Sequence, residues 1–395
     1  MVKDNFKNIS VIGAGTMGVG IAQVFMLSSA EKIYLVDISK ITLMKAKNTL
    51  KYYMDKLETK GFFPQKGGAK EVFNKLNIST KLDNYIFSSD LIIEAIPEDI
   101  ELKTNLFRKL GDNISNETIL ASNTSTFTIT ELGKASRRPE HTIGMHFFLP
   151  PFTRSCVELM KGKETRDIIF DQIIKFSKTI PVRDGTMYVA PIENETPGFI
   201  ANSLLLPGTL YFSLLADIAV EKGIPFEQLD ADAQEFMKRG PFELTDYLGL
   251  DTAYKALKSF EQRVSSVFTP GEVLTELVSK GYYGKKTGRG FYEYGEDGKP
   301  KIDKTKKAGL LDPELLLAIQ LNEGCKLLEE KIVPNYSIIE KVMKIGVGVS
   351  GPFIPGKRNY KKWSKLLTEF AVKNNINYFK PCELMSSGKF IEMRK

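Results

Sequence analysis

A glycine triplet directly after an apolar, β-branched run limits most narrowly what this chain can fold into. Residues 8–12 read NISVI, Gly13, Gly15 and Gly18 follow in the spacing G-x-G-x-x-G, and the apolar segment VGIAQVFML continues behind them. In a strand-turn-helix unit such glycines permit a tight turn and close packing of helix against strand. The pattern therefore predicts the first βα unit of a doubly wound α/β domain.

An acidic residue at the end of the next β-branched run, IYLVD, indicates what this turn binds. Asp37 follows the glycines at roughly the twenty-residue distance at which an acidic side chain accepts hydrogen bonds from an adenosine ribose and repels a 2′-phosphate. The start of the following helix faces the pyrophosphate. We therefore predict an NAD site whose contacts are Gly13, Gly15, Thr16, Met17, Gly18 and Asp37.

Hydrophobic periodicity divides the chain into an α/β part and a helical part. Up to residue 190, the runs ISVIGAG, IYLVDI, LIIEAI, ILASNTS and HTIGMHFF are expected strands that alternate with helical segments. Beyond it, apolar residues recur at spacings of three and four, which is typical of helices. We therefore expect a Rossmann-type doubly wound sheet in residues 1–190, a first helical domain in 191–298 and a second in 299–395.

The helical part contains an internal repeat. The stretches LADIAVEKGIPFEQLDADAQEFMKRGPF and LNEGCKLLEEKIVPNYSIIEKVMKIGVGVSGPF each combine a helix, a turn, a second amphipathic segment and a closing Gly-Pro-Phe, at 240–242 and 351–353. The second helical domain is therefore predicted to be a degenerate copy of the first. The charged, glycine- and lysine-rich stretch 293–309 is predicted to link the two copies.

Composition argues against several other classes of protein. The three cysteines are widely spaced, which suits reduced thiols and no metal site. The net charge of +7 comes from lysines scattered among acidic residues, so no nucleic-acid partner is expected. The polar lead MVKDNFKN does not resemble a signal peptide, and no apolar run is expected to span a bilayer. We therefore expect a cytoplasmic protein without a membrane partner.

One of the two histidines lies in an apolar run, GMHFFLPP, where a solvated imidazole is out of place. A buried imidazole bonded to a backbone carbonyl is the structural alternative for His146. However, ASNTST with Ser125 and MHFF with His146 end successive expected strands, and strand ends of this fold open onto the ligand crevice. Glu158 follows twelve residues later, and an imidazole beside a carboxylate is suited to general acid/base work.

Taken together, these motifs resemble those of the NAD-dependent (S)-3-hydroxyacyl-CoA dehydrogenases of fatty-acid β-oxidation. The resemblance extends from residue 7 to about residue 295. It rests on the order of VIGAGTMGVGIA, EAIPEDIELK, SNTST, HFF, VE at 157–158, TPGFIANSLL, GPFELTDYLGLD and GYYGKKTGRGFYEY. It implies an oxidoreductase that interconverts a (S)-3-hydroxyacyl-CoA and a 3-ketoacyl-CoA with NAD.

The same resemblance implies roles for individual residues. His146 is the implied base that takes the hydroxyl proton while hydride leaves for the nicotinamide, and Glu158 orients it. Ser125 and Asn202 are implied to hydrogen-bond the reacting oxygen of the substrate. Further implied contacts are those of the dinucleotide with Glu98, Lys103, Asn123 and Lys286, and that of the coenzyme A moiety with Lys60, which shares a helix side with Lys45 and Lys56.

One departure from the family pattern concerns cofactor affinity. Leu149 stands where the family usually has an asparagine that helps to hold the nicotinamide end, so weaker NAD binding is expected. Family members with one helical domain dimerise through it, and a second copy could cover that surface within one chain. The expected state is therefore a monomer or a homodimer.

Two alternative functions remain open on the sequence. The first is a dehydrogenase of a small free 3-hydroxy acid, which would need an arginine clamp for the carboxylate, with Arg154 or Arg183 as candidates. The second is a non-catalytic NAD-binding protein, for which Leu149 is the one hint.

Overall fold

The computed structural model describes residues 6–237, 239–300 and 302–394, and these form two compact units. Unit 1 contains residues up to 199 together with 331–333 and 337–351. Unit 2 contains residues 200–330, 334–336 and 352 onward. This division differs from the expected boundaries at 190 and 298, because the two helical stretches fold together and part of the second one joins unit 1.

Unit 1 is built on a sheet of eight strands that follows the predicted doubly wound pattern. The strands of the unit are β1 Asn8–Ile12, β2 Lys32–Val36, β3 Leu76–Ser79, β4 Leu91–Glu94, β5 Ile119–Ser122, β6 Thr142–Phe147, β7 Cys156–Lys161, β8 Pro181–Val182, β9 Gly185–Thr186 and β10 Tyr188–Ile192. Strands β8 and β9 form a separate hairpin, and the large sheet has the order β10-β7-β6-β5-β4-β1-β2-β3. All five expected strands are present, and β3, β7 and β10 are additional.

Helices cover both faces of this sheet. They are α1 Thr16–Leu27, α2 Lys40–Thr59, α3 Gly68–Phe73, α4 Asn84–Phe87, α5 Ile100–Gly111, α6 Ile129–Ser136 and α7 Asp167–Ser177. Ile93 of β4 joins one buried cluster and its neighbour Ile92 joins another, because successive side chains of a strand point to opposite faces. The strand is buried on both faces, which explains its continuous apolar sequence.

Unit 2 is helical, as predicted for the second half of the chain. Its helices are α8 Ala201–Glu221, α9 Phe226–Asp232, α10 Pro241–Leu248, α11 Leu250–Arg263, α12 Glu272–Ser279 and α13 Pro313–Glu329. Helix α14, Tyr336–Lys341, begins in unit 2 and belongs to unit 1 from Ser337 onward, and α15, Phe353–Lys373, and α16, Glu383–Ser387, return to unit 2. Both Gly-Pro-Phe motifs open a helix, α10 and α15.

The stretch predicted to link the helical copies is irregular. The described residues of 293–309 carry turns and isolated bridges between α12 and α13, with neither a helix nor a strand. The irregular structure agrees with the expected lack of regular elements in these residues, while their role as a linker and the duplication of the helical domain stay predictions.

Helix α8 meets the length and composition of a bilayer-spanning segment, contrary to the expectation that no apolar run does. Its most apolar window has a mean hydropathy of 1.6, and 61% of that window is buried inside the protein. Helix α13 packs along it within unit 2. A core helix of a large helical unit passes the same test, so α8 is weak evidence for a membrane.

Candidate active site

The two residues expected to handle the proton lie directly opposite one another in the sheet. Strand β7 runs antiparallel to β6, and the register pairs His146 with Glu158. Paired residues of an antiparallel ladder place their side chains on the same face. The imidazole Nδ1 lies 2.6 Å from the Glu158 Oε2. The predicted pairing is confirmed, and the carbonyl-bonded alternative does not describe this imidazole.

The two partners of this hydrogen bond differ in their exposure. The side chain of Glu158 is 0% exposed, whereas that of His146 is 12% exposed. In the tautomer whose Nδ1 donates to the carboxylate, the lone pair of the imidazole lies on Nε2. This arrangement is the one expected of an orienting carboxylate and a base that presents Nε2.

Two phenyl rings, which the sequence alone does not single out, pack against the imidazole. The ring centroid of His146 lies 5.1 Å from that of Phe148 and 5.2 Å from that of Phe199. Gly144 leaves space for Phe199, because a Cβ there would lie 3.0 Å from the Phe199 Cζ. The rings hold the imidazole in an apolar setting, and this explains the apolar residues around the histidine in GMHFF.

The loop after β5 is tied to β6, the strand of His146. The Phe147 amide donates to the Asn123 Oδ1 over 2.9 Å, so this side chain fixes the end of β6. The Ser125 amide donates to the Glu98 Oε1 over 2.9 Å. Asn202 is the second residue of α8 in unit 2. The substrate contacts of Ser125 and Asn202 therefore stay predictions, as does the dinucleotide contact of Asn123.

A buried ion-pair group supports the same loop. The ammonium of Lys103 lies 2.6 Å from the Glu94 Oε1 and 3.1 Å from the Glu98 Oε2, and its side chain is 1% exposed. Glu98 in turn accepts hydrogen bonds from Thr124 and Thr126. Lys103 therefore supports the loop after β5 through Glu98. A direct contact of Lys103 or Glu98 with the dinucleotide stays a prediction.

The charges of this group follow from burial and neighbours. Burial raises the pKa of Glu94, although the Lys103 ammonium and the Ser122 hydroxyl oppose that shift. Burial also disfavours ionised Glu98, but the Lys103 charge and the hydrogen bond from Thr124 outweigh it and lower the pKa of Glu98. Two carboxylates thus depend on one ammonium that water does not reach.

The glycine turn has the geometry that a dinucleotide needs. Gly13 has a φ of 105°, where only glycine is unstrained, and a Cβ at Gly18 would overlap the Gly13 carbonyl oxygen. No atom lies within 4 Å of the Cβ position of Gly15, which is exposed at the start of α1. The first turn of α1 contains no acidic residue, and the space beside Gly15 is open. Both features suit a bound pyrophosphate. The residues of this turn therefore fit NAD.

Asp37 lies beside the glycine turn and is hydrogen-bonded to it. Its Oδ2 accepts from the Ala14 amide over 2.9 Å, and its Oδ1 accepts from the Ser39 amide over 2.8 Å. Each oxygen keeps a second lone pair for a ribose hydroxyl. The carboxylate is thus pre-positioned beside the glycines by the backbone on both sides of it.

Replacing Asp37 by serine is expected to lower the preference for NAD over NADP by about 10- to 100-fold. The reason is that charge-assisted hydrogen bonds to the ribose, worth about 1.5–3 kcal/mol, are lost together with the repulsion of a 2′-phosphate. The measurement is kcat/KM for both cofactors. Asp55→Ser, at an exposed site of α2, is the matched control. An unchanged ratio in Asp37→Ser would remove Asp37 from this role.

The remaining expected contacts are polar surface residues. Lys45, Lys56 and Lys60 are exposed along α2 and its carboxyl end. Lys286, in unit 2, forms an ion pair with Asp251. The contacts of Lys60 with coenzyme A and of Lys286 with the dinucleotide therefore stay predictions.

Two buried carboxylates of unit 2 form hydrogen bonds to the motifs GPFELTDYLGLD and GYYGKKTGRGFYEY. Asp230 accepts from the Phe242 amide of the Gly-Pro-Phe motif and from the Tyr292 hydroxyl, over 2.9 and 2.8 Å. Asp246 accepts from the amides of Phe291 and Tyr292. Burial raises the pKa of Asp246 to about 6, against those hydrogen bonds. GPFELTDYLGLD and GYYGKKTGRGFYEY are therefore held together by Asp230 and Asp246, which motif reading alone does not reveal.

Comparisons with known proteins cover both parts of the chain. Residues 8–184 match the family model of the 3-hydroxyacyl-CoA dehydrogenase NAD binding domain, and residues 198–294 match that of the C-terminal domain. The mitochondrial hydroxyacyl-coenzyme A dehydrogenase of Sus scrofa is 34% identical over 303 residues, which cover 73% of this chain and 91% of that protein. A probable 3-hydroxybutyryl-CoA dehydrogenase of Deinococcus radiodurans is 33% identical over 292 residues, covering 72% and 99%.

A solved structure shares the fold over nearly the whole chain. The 3-hydroxybutyryl-CoA dehydrogenase of Escherichia coli superimposes with a TM-score of 0.78 and 23% identity, and it covers 98% of this chain and 99% of its own. The shared fold therefore includes the region beyond residue 294, which the family models do not match.

Proposed function

Because this chain belongs to the 3-hydroxyacyl-CoA dehydrogenase family, we propose that His146 and Glu158 are the acid/base pair with which it oxidises a (S)-3-hydroxyacyl-CoA to the 3-ketoacyl-CoA. The single observation that carries this assignment is the 2.6 Å hydrogen bond from the imidazole Nδ1 to a fully buried carboxylate. The reaction is reversible and depends on NAD.

His146 and Glu158 have different roles in the proton transfer. The Nε2 of His146 takes the proton of the substrate hydroxyl, and Glu158 stabilises the imidazolium that forms. Bound NAD supplies the acceptor for the hydride from C3 of the substrate. Phe148 and Phe199 keep the imidazole away from water, which strengthens its interaction with Glu158. In the reverse direction the imidazolium returns the proton to the ketone oxygen.

Substrate class and cellular setting belong to the same proposal. The names of the relatives support an acyl-CoA substrate, and exposed Lys60 on α2 suits the phosphates of coenzyme A. The cysteines Cys156, Cys325 and Cys382 are free thiols, which suits a reducing compartment such as the cytoplasm. Fatty-acid β-oxidation is the pathway that we infer from the family, with the enzyme as a monomer or homodimer.

The alternative function, oxidation of a small free 3-hydroxy acid, needs an arginine that binds the substrate carboxylate. The contacts of the two candidate arginines give this alternative little support. The guanidinium of Arg154 lies against Gly348, and Arg183 donates to the neighbouring Asp184. Arg183 is thus paired with an acidic side chain, and Arg154 packs against the backbone at Gly348.

One assay separates the proposed function from both alternatives. Acetoacetyl-CoA and NADH are added to the full chain, and NADH consumption is followed by absorbance. The proposal predicts turnover with acetoacetyl-CoA and far slower turnover with free acetoacetate. Faster turnover of the free acid would favour the small-acid dehydrogenase, and NADH binding without consumption of either substrate would favour the non-catalytic protein.

Replacing Leu149 by asparagine is expected to tighten NAD binding by about two- to tenfold, the effect of one added hydrogen bond. The side chain of Leu149 is 50% exposed next to the catalytic strand, so a polar residue fits there without repacking a core. The measurement is the dissociation constant of NAD by calorimetry. Leu149→Ala is the control and should leave the affinity unchanged. If Leu149→Asn bound NAD with the same affinity as the unaltered chain, Leu149 would not be a cause of weaker NAD binding.

A further inference from the structure

A short piece of the helical half is part of unit 1. Residues 337–351, here called the returning segment, belong to unit 1, although 334–336 and 352 onward belong to unit 2. The segment contains most of α14 and a π-helical turn at Val342–Val347, which ends at Gly348. It lies beyond residue 294, where the match to the family's C-terminal domain ends. Its contacts are therefore an addition to the part of the chain that the family models cover.

The returning segment is fastened to the strands that carry the catalytic pair. The π-helical turn packs on β7, the strand of Glu158. The guanidinium of Arg154, between β6 and β7, lies so close to Gly348 that a Cβ there would overlap it. The ammonium of Lys341 lies 5.3 Å from the ring centroid of Tyr188 on β10. The segment thus contacts side chains from the loop before β7 and from its neighbouring strand β10.

Gly346 of the π-helical turn lies against Phe148, the residue two positions after His146. This glycine is buried, and a Cβ on it would lie 2.8 Å from the Cδ2 and Cε2 atoms of Phe148 and 2.9 Å from its Cζ. Gly346 does not have a positive φ, so its backbone accepts alanine without strain. The ring of Phe148 is therefore the obstacle to a larger residue at position 346.

The same ring contacts the catalytic imidazole. Phe148 packs on His146 at a centroid distance of 5.1 Å with an angle of 54° between the ring planes. Phe199 contacts the imidazole as well, and Glu158 fixes its Nδ1. The half-buried ring of Phe148 thus contacts both Gly346 and the imidazole, so a shift of the ring by a few tenths of an ångström, forced by a larger residue at position 346, bears on the imidazole.

We propose that Gly346 and Phe148 are positioning residues for His146, so that the returning segment sets the orientation of the catalytic imidazole. The inference rests on the proposed function. Because Gly346 has no side chain, the Phe148 ring can pack directly against it. The ring in turn limits rotation of the His146 side chain. Catalytic geometry in this chain then depends on a segment outside the matched family domains.

The test is a double-mutant cycle of Gly346→Ala and Phe148→Leu in the full chain, assayed with acetoacetyl-CoA and NADH. Gly346→Ala is expected to lower kcat by up to about 10-fold, because a shift of a few tenths of an ångström is smaller than the misplacement of about 1 Å that costs about 10²-fold. The KM for acetoacetyl-CoA and the affinity for NADH should stay within about twofold. In the Phe148→Leu background, where the obstructing ring is missing, the same glycine substitution should cost much less.

Lys344→Ala provides the matched control, since Lys344 lies in the same π-helical turn but is exposed. It should have the kcat of the unaltered chain. An unchanged kcat in Gly346→Ala would overturn the inference, and so would an equal loss in both backgrounds. Turnover by the unaltered chain and its loss in His146→Gln test the proposed function by themselves, so failure of the inference is distinguishable from failure of that function.

Discussion

Replacing His146 by glutamine is expected to lower kcat for acetoacetyl-CoA reduction by about 10²- to 10⁴-fold, the usual cost of removing a general acid or base. Glutamine keeps a polar side chain of similar reach, but its amide neither takes nor gives a proton at neutral pH. The glycine turn and Asp37 are untouched by this change, so the dissociation constant of NADH should stay the same. Loss of turnover with retained binding is the signature of a residue that acts in the chemical step.

The experiment measures steady-state turnover and NADH binding by fluorescence. Glu158→Gln should also lower kcat, by less, because the imidazole remains but loses the charge that stabilises its protonated form. His141→Gln is the matched control, since His141 is the second histidine and lies in a 3₁₀ turn before β6. It should retain full activity. Rates in His146→Gln equal to those of the unaltered chain would refute the acid/base assignment.

Replacing Lys103 by methionine is expected to destabilise the fold by about 3–5 kcal/mol, the effect of removing one partner from a buried ion pair. The ammonium lies 2.6 Å from Glu94 and 3.1 Å from Glu98, and the side chain is 1% exposed. Methionine fills a similar volume but leaves two carboxylates without a cation. The loop that presents Asn123 and Ser125 loses its support, so kcat should fall as well.

Urea unfolding of both proteins measures this change in the free energy of unfolding. Lys109→Met is the matched control, because Lys109 is an exposed lysine of the same helix, α5, and should shift the free energy by less than about 0.5 kcal/mol. Equal stability of Lys103→Met and the unaltered chain would show that the group is not a buried ion pair in solution.

The pH dependence of this difference has a definite sign. Burial already raises the pKa of Glu94, and without Lys103 the carboxyl group would ionise in the folded state at still higher pH. A group with a raised folded-state pKa contributes stability that is present below its unfolded pKa and is lost as pH rises through the folded value. Through Glu94, the stability gap between Lys103→Met and the unaltered chain should therefore widen as pH rises from the folded-state pKa of Glu94 in the unaltered chain to its higher value in the variant.

The α/β part of the fold could be predicted because its signals are local. The glycine spacing fixes the first turn, and five β-branched runs give five strands. Strand β7 could not be predicted in this way, since its antiparallel pairing depends on the return of the chain through 148–155. The sequence singles out Glu158 only by its place twelve residues after His146, whereas the structural cause of its position is the register opposite His146.

The domain boundaries and the supporting residues were harder to predict for a common reason. The returning segment has the same helical periodicity as its neighbours, and only long-range contacts with Phe148 and Arg154 place it in unit 1. Phe148 and Phe199 read as ordinary core residues. The burial of Lys103 has a weak sequence signal, a lysine nine residues after the acidic end of an apolar strand, LIIE. None of these relations follows from periodicity alone.

A structure of the full chain crystallised with NAD and acetoacetyl-CoA tests the central assignment most directly. We expect the Nε2 of His146 within about 3.2 Å of the 3-keto oxygen, with its Nδ1 still bonded to Glu158. A keto oxygen held by other side chains, with the imidazole beyond hydrogen-bond reach of it, would contradict the assignment.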